Sequence, residues 1–315
     1  MASTTRRPRI SIGLPVYNGE RYIRLALDSL LAQTFGDFEL IISDNASTDT
    51  TEAICREYAA RDRRIRYLRQ PENVGVVRNF NLLVEQATAP FFKWASADDL
   101  IMPDLLERCL AVIEQDESIV LAHCRTRYID ADGNEIVRAD PGLHIIEERP
   151  SERVFKLWST LTYCNAQYGI MRIDALRRTA LFGGFVGADV CFLAELVLHG
   201  KFFEVSDPLL LRRLHREAAS GLTAEELLEH YGFRRGKLVL YYWRHFYENV
   251  RSTLRAPAPP AEKRRVLAMI ARRMVWQRAA LTQEIGFLIR HMTGRRYRPL
   301  GSIERFSRPE SDRLP

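Results

Sequence analysis

From Arg9 to Asp99 apolar runs of strand length alternate with segments of helical spacing, and this rhythm restricts the fold more than any other feature. Arg9-Ile10-Ser11-Ile12-Gly13-Leu14-Pro15 reads as a strand that stops at proline. Glu20 to Leu31 follows, with Tyr22, Ile23, Leu27 and Leu30 on one helical face. Phe38 to Ser43 is a second strand. Ser47-Thr48-Asp49 then opens a helix to about Ala60 with good N-cap chemistry. Ile65 to Leu68 is a short third strand, Gly75 to Ala87 a helix, and Ala89-Pro90-Phe91-Phe92-Lys93-Trp94-Ala95 a fourth strand. Asp104 to Glu114 is another helix and Ile119 to Tyr128 another strand. Such alternation predicts an α/β fold, a mostly parallel central sheet with helices on both faces. Right-handed crossovers bring the carboxyl ends of the strands to one rim, where ligands of open α/β sheets bind.

Beyond Tyr128 the rhythm breaks. Asp130-Ala131-Asp132-Gly133-Asn134 reads as a turn between two strands, residues 139–150 as a loop, and Ser151 to Leu161 as a helix. Gln167 to Arg172 is a strand, Asp189 to His199 a helix, and Phe202 to Val205 and Leu209 to Leu214 two further strands. Ala256-Pro257-Ala258-Pro259-Pro260 separates two basic helices, about Ala224 to Leu254 and Ala261 to Met292.

Four polar loops fall at the carboxyl ends of successive strands: Pro15-Val16-Tyr17-Asn18-Gly19-Glu20, Ser43 to Asp49, Glu72 to Asn79, and Ser96-Ala97-Asp98-Asp99. Four such loops on one rim imply a pocket. In the last of them two adjacent carboxylates repel each other, and hard oxygen ligands so clustered suit Mg²⁺ or Mn²⁺ on a phosphate. Taken alone, Asp98-Asp99 reads as a solvated turn before the helix that starts near Asp104, and the loops upstream overturn that reading.

Together the loops resemble those of the family 2 glycosyltransferases, which have the nucleotide-diphosphosugar transferase (GT-A) fold. The resemblance covers about residues 8–215. It implies a nucleoside-diphosphate sugar donor, UDP-sugar in the first place, with Mn²⁺ or Mg²⁺ as cofactor and transfer with inversion at the anomeric carbon. By position, Pro15 and Tyr17 would frame the base, with Asn18 and Glu20 in the same loop. Asp44, followed by Asn45, would accept a hydrogen bond from the base, and a carboxylate suits a pyrimidine N–H. Arg78 would lie near the base or phosphates. Asp98 and Asp99 would hold the metal on the diphosphate. The family often has an acid where this chain has Ser96, which coordinates metal poorly but can bond a ribose or phosphate oxygen beside Ala97.

Inverting transfer needs a base for the acceptor hydroxyl. Gly183 to Asp189 matches the family's segment before its acceptor-side helix, and Asp189 is the matching acid; Glu195, further along that helix, is the rival. His215, after Leu210-Leu211-Arg212-Arg213-Leu214, stands where the family often has a histidine that completes the metal site or touches the diphosphate. Without that resemblance each residue has a plainer role: Asp44 a turn former, Arg78 a surface ion-pair partner, Asp189 a helix N-terminal acid.

Charge divides the chain. Residues 230–300 hold 16 Lys and Arg against 3 acidic residues, whereas residues 1–229 hold 27 basic and 34 acidic. We therefore expect a catalytic domain over 1–222, with a nucleotide-binding half of about 8–128 and an acceptor half of about 129–222, followed by a basic helical region over 223–315. Aromatic residues and arginines interleave in that region, which suits an anionic membrane surface. The same helices could instead pack on the body or form a homodimer. No motif for reading nucleic acid accompanies the charge. Five cysteines without a CxxC pair suggest a reducing cytoplasm. The basic N-terminus has no apolar core of signal-peptide type, and no apolar stretch nears the roughly 18 residues of a membrane span. The expected setting is cytoplasmic, peripheral on the inner face of the plasma membrane, with a glycan or lipid-linked acceptor of cell-surface polysaccharide synthesis. Two other classes compete. A nucleotidyltransferase would show a Gly-rich, lysine-bearing loop where Pro15-Val16-Tyr17-Asn18 stands. A non-catalytic sugar-nucleotide-binding or membrane-adaptor protein could keep the fold.

Overall fold

Strands β1 (Ile10–Val16) and β2 (Phe38–Asp44) are buried at every residue, as near-continuous apolar runs must be when both sheet faces are covered. The computed structural model describes residues 7–138, 141–218, 221–223, 226–228, 231 and 240–293. Helix α1 (Ile23–Leu31) follows β1, α2 (Thr51–Arg61) follows β2, and α3 (Val76–Gln86) follows β3 (Ile65–Arg69). Then come β4 (Phe91–Trp94), β5 (Leu100–Ile101), α4 (Leu105–Gln115), β6 (Ile119–Ile129) and β7 (Glu135–Ile136). The rest of the body is α5 (Pro150–Thr160), a 3₁₀ turn (Cys164–Tyr168), β8 (Ile170–Arg172), α6 (Ile173–Arg177), α7 (Ala188–His199) and β9 (Lys201–Arg213).

The sheet order is β3-β2-β1-β4-β8-β6-β9-β5, with β7 paired to β6. Strands β1 to β4 are parallel, and β6 and β9 are parallel to each other. Short β8 runs antiparallel to both β4 and β6, so it joins the two parallel blocks without changing their direction. The carboxyl ends of β1, β2, β3, β4, β6 and β9 therefore share one rim. Alternate residues of β4 enter different cores: Phe91 packs with α1, α2 and α4, while Phe92 and Trp94 pack with α3, α5 and α7.

Four sequence expectations change. Strand β1 does not stop at Pro15 but runs to Val16. Asn45 N–H reaches Val16 O and Ala95 N–H reaches Gly13 O, so Pro15 faces the side where β4 has already ended and its missing donor leaves no gap. The two strands expected around Pro208 are one, because Ser206 and Asp207 form a bulge between the pairs Val205–Cys124 and Pro208–Arg125. The helix expected from Ala261 to Met292 is two, α9 (Pro260–Trp276) and α10 (Arg278–Met292). Buried Val266, Ile270 and Leu281 keep helical phase across the break, so the apolar pattern does not mark it. Of the helix expected from Ala224, residues 226–228 are helical and α8 covers Tyr241–Arg255. Residues 219–220, 224–225, 229–230 and 232–239 lie outside the described residues, and with them Arg234, Arg235, Lys237 and part of the boundary expected near residue 222.

Helices α8, α9 and α10 pack on the body: Phe246, Ala256, Val266, Ile270 and Leu281 join the core on the α7 side. Polar bonds fix the docking. Buried Glu195 of α7 accepts two bonds from Arg255 at 2.8 and 2.6 Å, and Glu262 accepts Ser151 N–H at 3.0 Å. Glu284 of α10 caps α8, taking the amides of Tyr242 and Trp243 at 3.0 and 3.2 Å. No described helix is long and apolar enough to cross a membrane.

His199 ends α7 with neither ring nitrogen hydrogen-bonded among the described residues. Burial, then the charges of Arg178, Arg255 and Arg153, push it down to about 4. The unfolded value is about 6.5, so between these values the unfolded chain holds more protons. Stability contributed by the neutral ring is therefore present above pH 6.5 and lost on acidification toward pH 4. Going from pH 7 to 4.5 is expected to remove roughly 2 kcal/mol through this residue. Urea unfolding of the wild type and His199→Phe at both pH values checks this; parallel pH slopes would exclude it.

Candidate active site

The loop after β1 is stapled to the start of α2. Asn18, Gly19 and Glu20 N–H groups donate to Ser47 Oγ, Thr51 Oγ1 and Asp49 Oδ2 at 2.9, 2.9 and 3.1 Å. In return Asn18 Oδ1 accepts Thr48 N–H at 2.8 Å and Glu20 Oε2 accepts Thr50 N–H at 3.0 Å. Side chains of the β1 loop thus hold amides of the turn that leads into α2. Asn18 and Glu20 are engaged in this staple, while Tyr17 beside them is exposed. Asn18 and Ala46 sit at φ +49° and +60°, left-handed conformations that β-carbons disfavour and that collect at ligand sites.

Asp44 is fully buried at the end of β2. Its Oδ1 accepts Ser47 N–H at 2.8 Å; its Oδ2 accepts the Tyr67 hydroxyl at 2.6 Å and Arg69 at 3.0 Å. Tyr67 and Arg69 were not singled out from the sequence. Their signal is period-two spacing on β3 together with the register that sets Arg69 opposite Asp44. A carboxylate has about four acceptor positions, and these bonds occupy three of them. Asn45 ties this loop to the next, donating to Asn73 Oδ1 at 2.8 Å and accepting Val74 N–H at 2.8 Å. Arg78 is not brought to the others; it is half exposed on α3 and paired with Glu85.

The loop after β4 meets the end of β9. Ser96 Oγ donates to Asp98 Oδ1, and Asp98 Oδ2 lies 2.9 Å from His215 Nε2. A Cβ at Gly19 would stand 3.6 Å from Ala97 Cβ, which places the β1 loop against this one. Arg213, also missed from the sequence as a site residue, fastens the arrangement: its guanidinium donates to Asp98 O at 3.0 Å and to Asp130 O and Ala131 O at 3.0 and 3.2 Å. Asp99 departs from expectation. Buried Oδ1 accepts Arg213 N–H at 2.8 Å, so this carboxyl anchors β9 and does not join Asp98 and His215. Burial, then the Asp98 charge, pushes Asp99 up to about 7. Burial presses Asp98 upward too, yet the bonds from His215 and Ser96 outweigh it and hold its carboxyl below the usual value.

Asp98 and His215 fit a divalent cation. A carboxylate and an imidazole converge at the rim, and His215 Nδ1 is buried without a hydrogen-bond partner among the described residues. Two protein donors plus diphosphate oxygens suit Mn²⁺ or Mg²⁺, which normally complete their shell with substrate phosphates and water. No cluster of three or more candidate ligands occurs among the described residues.

Asp189 starts α7 after Gly187 (φ +79°), and its Oδ1 accepts Val190 N–H at 3.0 Å. It borders the 3₁₀ turn: Cys164 is raised well above the thiol range by burial, then by the adjoining Asp189 carboxylate. The neighbouring Asn165 accepts a bond from Arg212 on β9, three residues before His215. One turn thus links the two acidic centres. Glu195 is inside the protein and committed to Arg255 and to Ala180 N–H at 3.0 Å, so it is not available as a base.

A parallel sheet wedged by one antiparallel strand, with acidic groups on its carboxyl rim, defines a GT-A type nucleotide-diphosphosugar transferase fold. Solved structures match it: TarS (1–349) of S. aureus in complex with UDP-GlcNAc, at TM-score 0.65 and 19% identity over 90% of this chain and 81% of that one. The mannosyltransferase PcManGT of Pyrobaculum calidifontis, in complex with GDP-Man and Mn²⁺, matches at TM-score 0.53 and 18% identity over 95% and 89%. Residues 11–179 match the family model described as glycosyl transferase family 2, and the chain belongs to that family. An uncharacterized glycosyltransferase of Rickettsia typhi is 31% identical over 52% of this chain and 50% of its own length. A second, of Rickettsia prowazekii, is 28% identical over 71% and 69%. Chondroitin synthase of Escherichia coli is 35% identical over 43% of this chain and only 20% of its own length. The match thus spans half of the first relative and a fifth of the synthase.

Proposed function

We propose that the chain is an inverting glycosyltransferase that moves a sugar from a nucleoside-diphosphate sugar to a hydroxyl of a glycan or lipid-linked acceptor in polysaccharide synthesis, with catalytic residues within 1–222. The carrying observation is the convergence of Asp98 and His215 on the rim, joined through the 3₁₀ turn to Asp189. Relatives named for UDP, UDP-GlcNAc and GDP-Man complexes support a nucleotide-sugar donor, UDP-sugar in the first place.

In this reading the exposed Tyr17, with Pro15, flanks the base, and Asp44 offers its remaining acceptor position to a base N–H. Asn45, Ser96 and Ala97 shape the same cleft, and Asn18 and Glu20 hold its wall in place through α2. Arg78 reaches the donor only by leaving Glu85. Asp98 and His215 would hold a divalent cation, which would supply positive charge to the diphosphate as it leaves. Asp189 takes the acceptor hydroxyl proton as that oxygen bonds to the anomeric carbon. The bond from that carbon to the diphosphate oxygen breaks, and the electron pair leaves with the nucleoside diphosphate.

Asp189→Asn is the test. Transfer is expected to fall by about 10²–10⁴, the usual contribution of a positioned base, with donor affinity unchanged by calorimetry. Wild-type turnover in the variant would remove Asp189 from this role.

A further inference from the structure

One stripe of the solvent-facing side of α10 is apolar. Ile285, Ile289 and Met292 are 41%, 56% and 76% exposed among the described residues, and their spacing of four and three puts them on one stripe. Val275 and Trp276, 60% and 71% exposed, stand at the bend between α9 and α10. This stripe is not the core face of the helix: Leu281, Glu284 and Phe287 fill that role.

The charge around the stripe has one sign. Arg272, Arg278 and Arg290 are exposed beside it. Between Lys263 and Met292 the sole acid is Glu284, buried with its oxygens on the α8 amides. After Met292 the sequence continues with Arg295, Arg296 and Arg298. A second copy of the chain fits poorly, because a two-fold contact would set these arginines against their own images. An anionic lipid surface offers what both parts need, an acyl boundary for the apolar stripe and phosphates for its arginine margin.

We propose that the bent α9–α10 segment is a membrane-docking element that lays Val275, Ile285, Ile289 and Met292 into the headgroup region of an anionic bilayer. This goes beyond the proposed transfer reaction and does not depend on it. The segment is also tied to the site. Glu284 holds the first amides of α8, and one turn on, His245 Nε2 bonds Val186 O at 2.9 Å, in the loop that leads to Asp189. Docking would therefore set the acceptor side of the cleft in a fixed relation to the lipid surface.

The test is sedimentation of the full chain with vesicles, without donor or metal. Vesicles of equimolar phosphatidylcholine and phosphatidylglycerol are expected to bind about tenfold or more tightly than phosphatidylcholine alone, and high salt to weaken the binding. The double variant Ile289→Glu, Met292→Glu should lose binding while its melting temperature and donor affinity stay at wild-type values, since both side chains face outward. Equal sedimentation of variant and wild type, or no preference for anionic vesicles, would overturn the proposal. So would light scattering that shows a wild-type dimer and a monomeric variant, or a polyanion such as RNA binding the wild type while anionic vesicles do not. Loss of vesicle binding with transfer to a soluble acceptor intact separates this proposal from the proposed function.

Discussion

Asp98→Asn is expected to lower sugar transfer by about 10²–10³, the cost of losing one preorganised stabiliser of developing charge. The carboxylate is the one group in the β4 loop that meets His215, and it receives bonds from Ser96 and His215 that fix its position. An amide keeps the shape but not the charge that, in the proposed reaction, would bind a cation and offset the departing diphosphate. Asp99→Asn is the informative control. Asn retains an oxygen for Arg213 N–H, so the anchor of β9 survives. Its effect should be the roughly tenfold typical of residues that support a ligand rather than act as one. Turnover across a Mn²⁺ series separates the two: the Asp98 variant should stay slow at every concentration. Equal losses in both variants would return Asp99 to the metal site.

Glu195→Ala is expected to destabilise the protein by about 3 kcal/mol, the lower end for breaking a buried ion pair because Arg255 is partly exposed. Glu195 is 2% exposed and holds Arg255 from α8 and Ala180 N–H from the segment before α7. Its loss leaves a guanidinium and an amide facing the body without an acceptor. Urea unfolding gives the cost, and Arg255→Ala with the double variant gives the coupling. A strictly additive double variant would show that the pair does not fasten the C-terminal helices.

The first half of the fold was legible because each unit states itself locally. Leu27 and Leu30 mark a helical face, Ile10, Ile12 and Leu14 a strand, and the loops after them are polar. Those signals place Asp98 on the rim, and the resemblance brought in His215 from far along the chain. What escaped was non-local. Tyr67 and Arg69 look like ordinary strand residues until the register sets them against Asp44. Arg213 bonds three carbonyls that no spacing rule connects. The bond from Arg213 N–H to Asp99 escaped too, because adjacency in sequence says nothing about which way two successive side chains turn. The bonds by which Asn18 and Glu20 hold the Thr48 and Thr50 amides escaped as well, because a contact between two loops has no local signature.

The position of β8 bears on how the molecule is made. Phe91 and Phe92 of β4 pair outward with Arg172 and Met171, not with the strand that follows them in the chain. A ribosome that has just delivered β1 to β4 has therefore built a sheet whose β4 flank is still bare. That flank stays open while the next several dozen residues are synthesised, and unpaired flanks recruit wrong partners. Slow or crowded translation between Trp94 and Ile170 should be the stage at which this chain is most prone to clump.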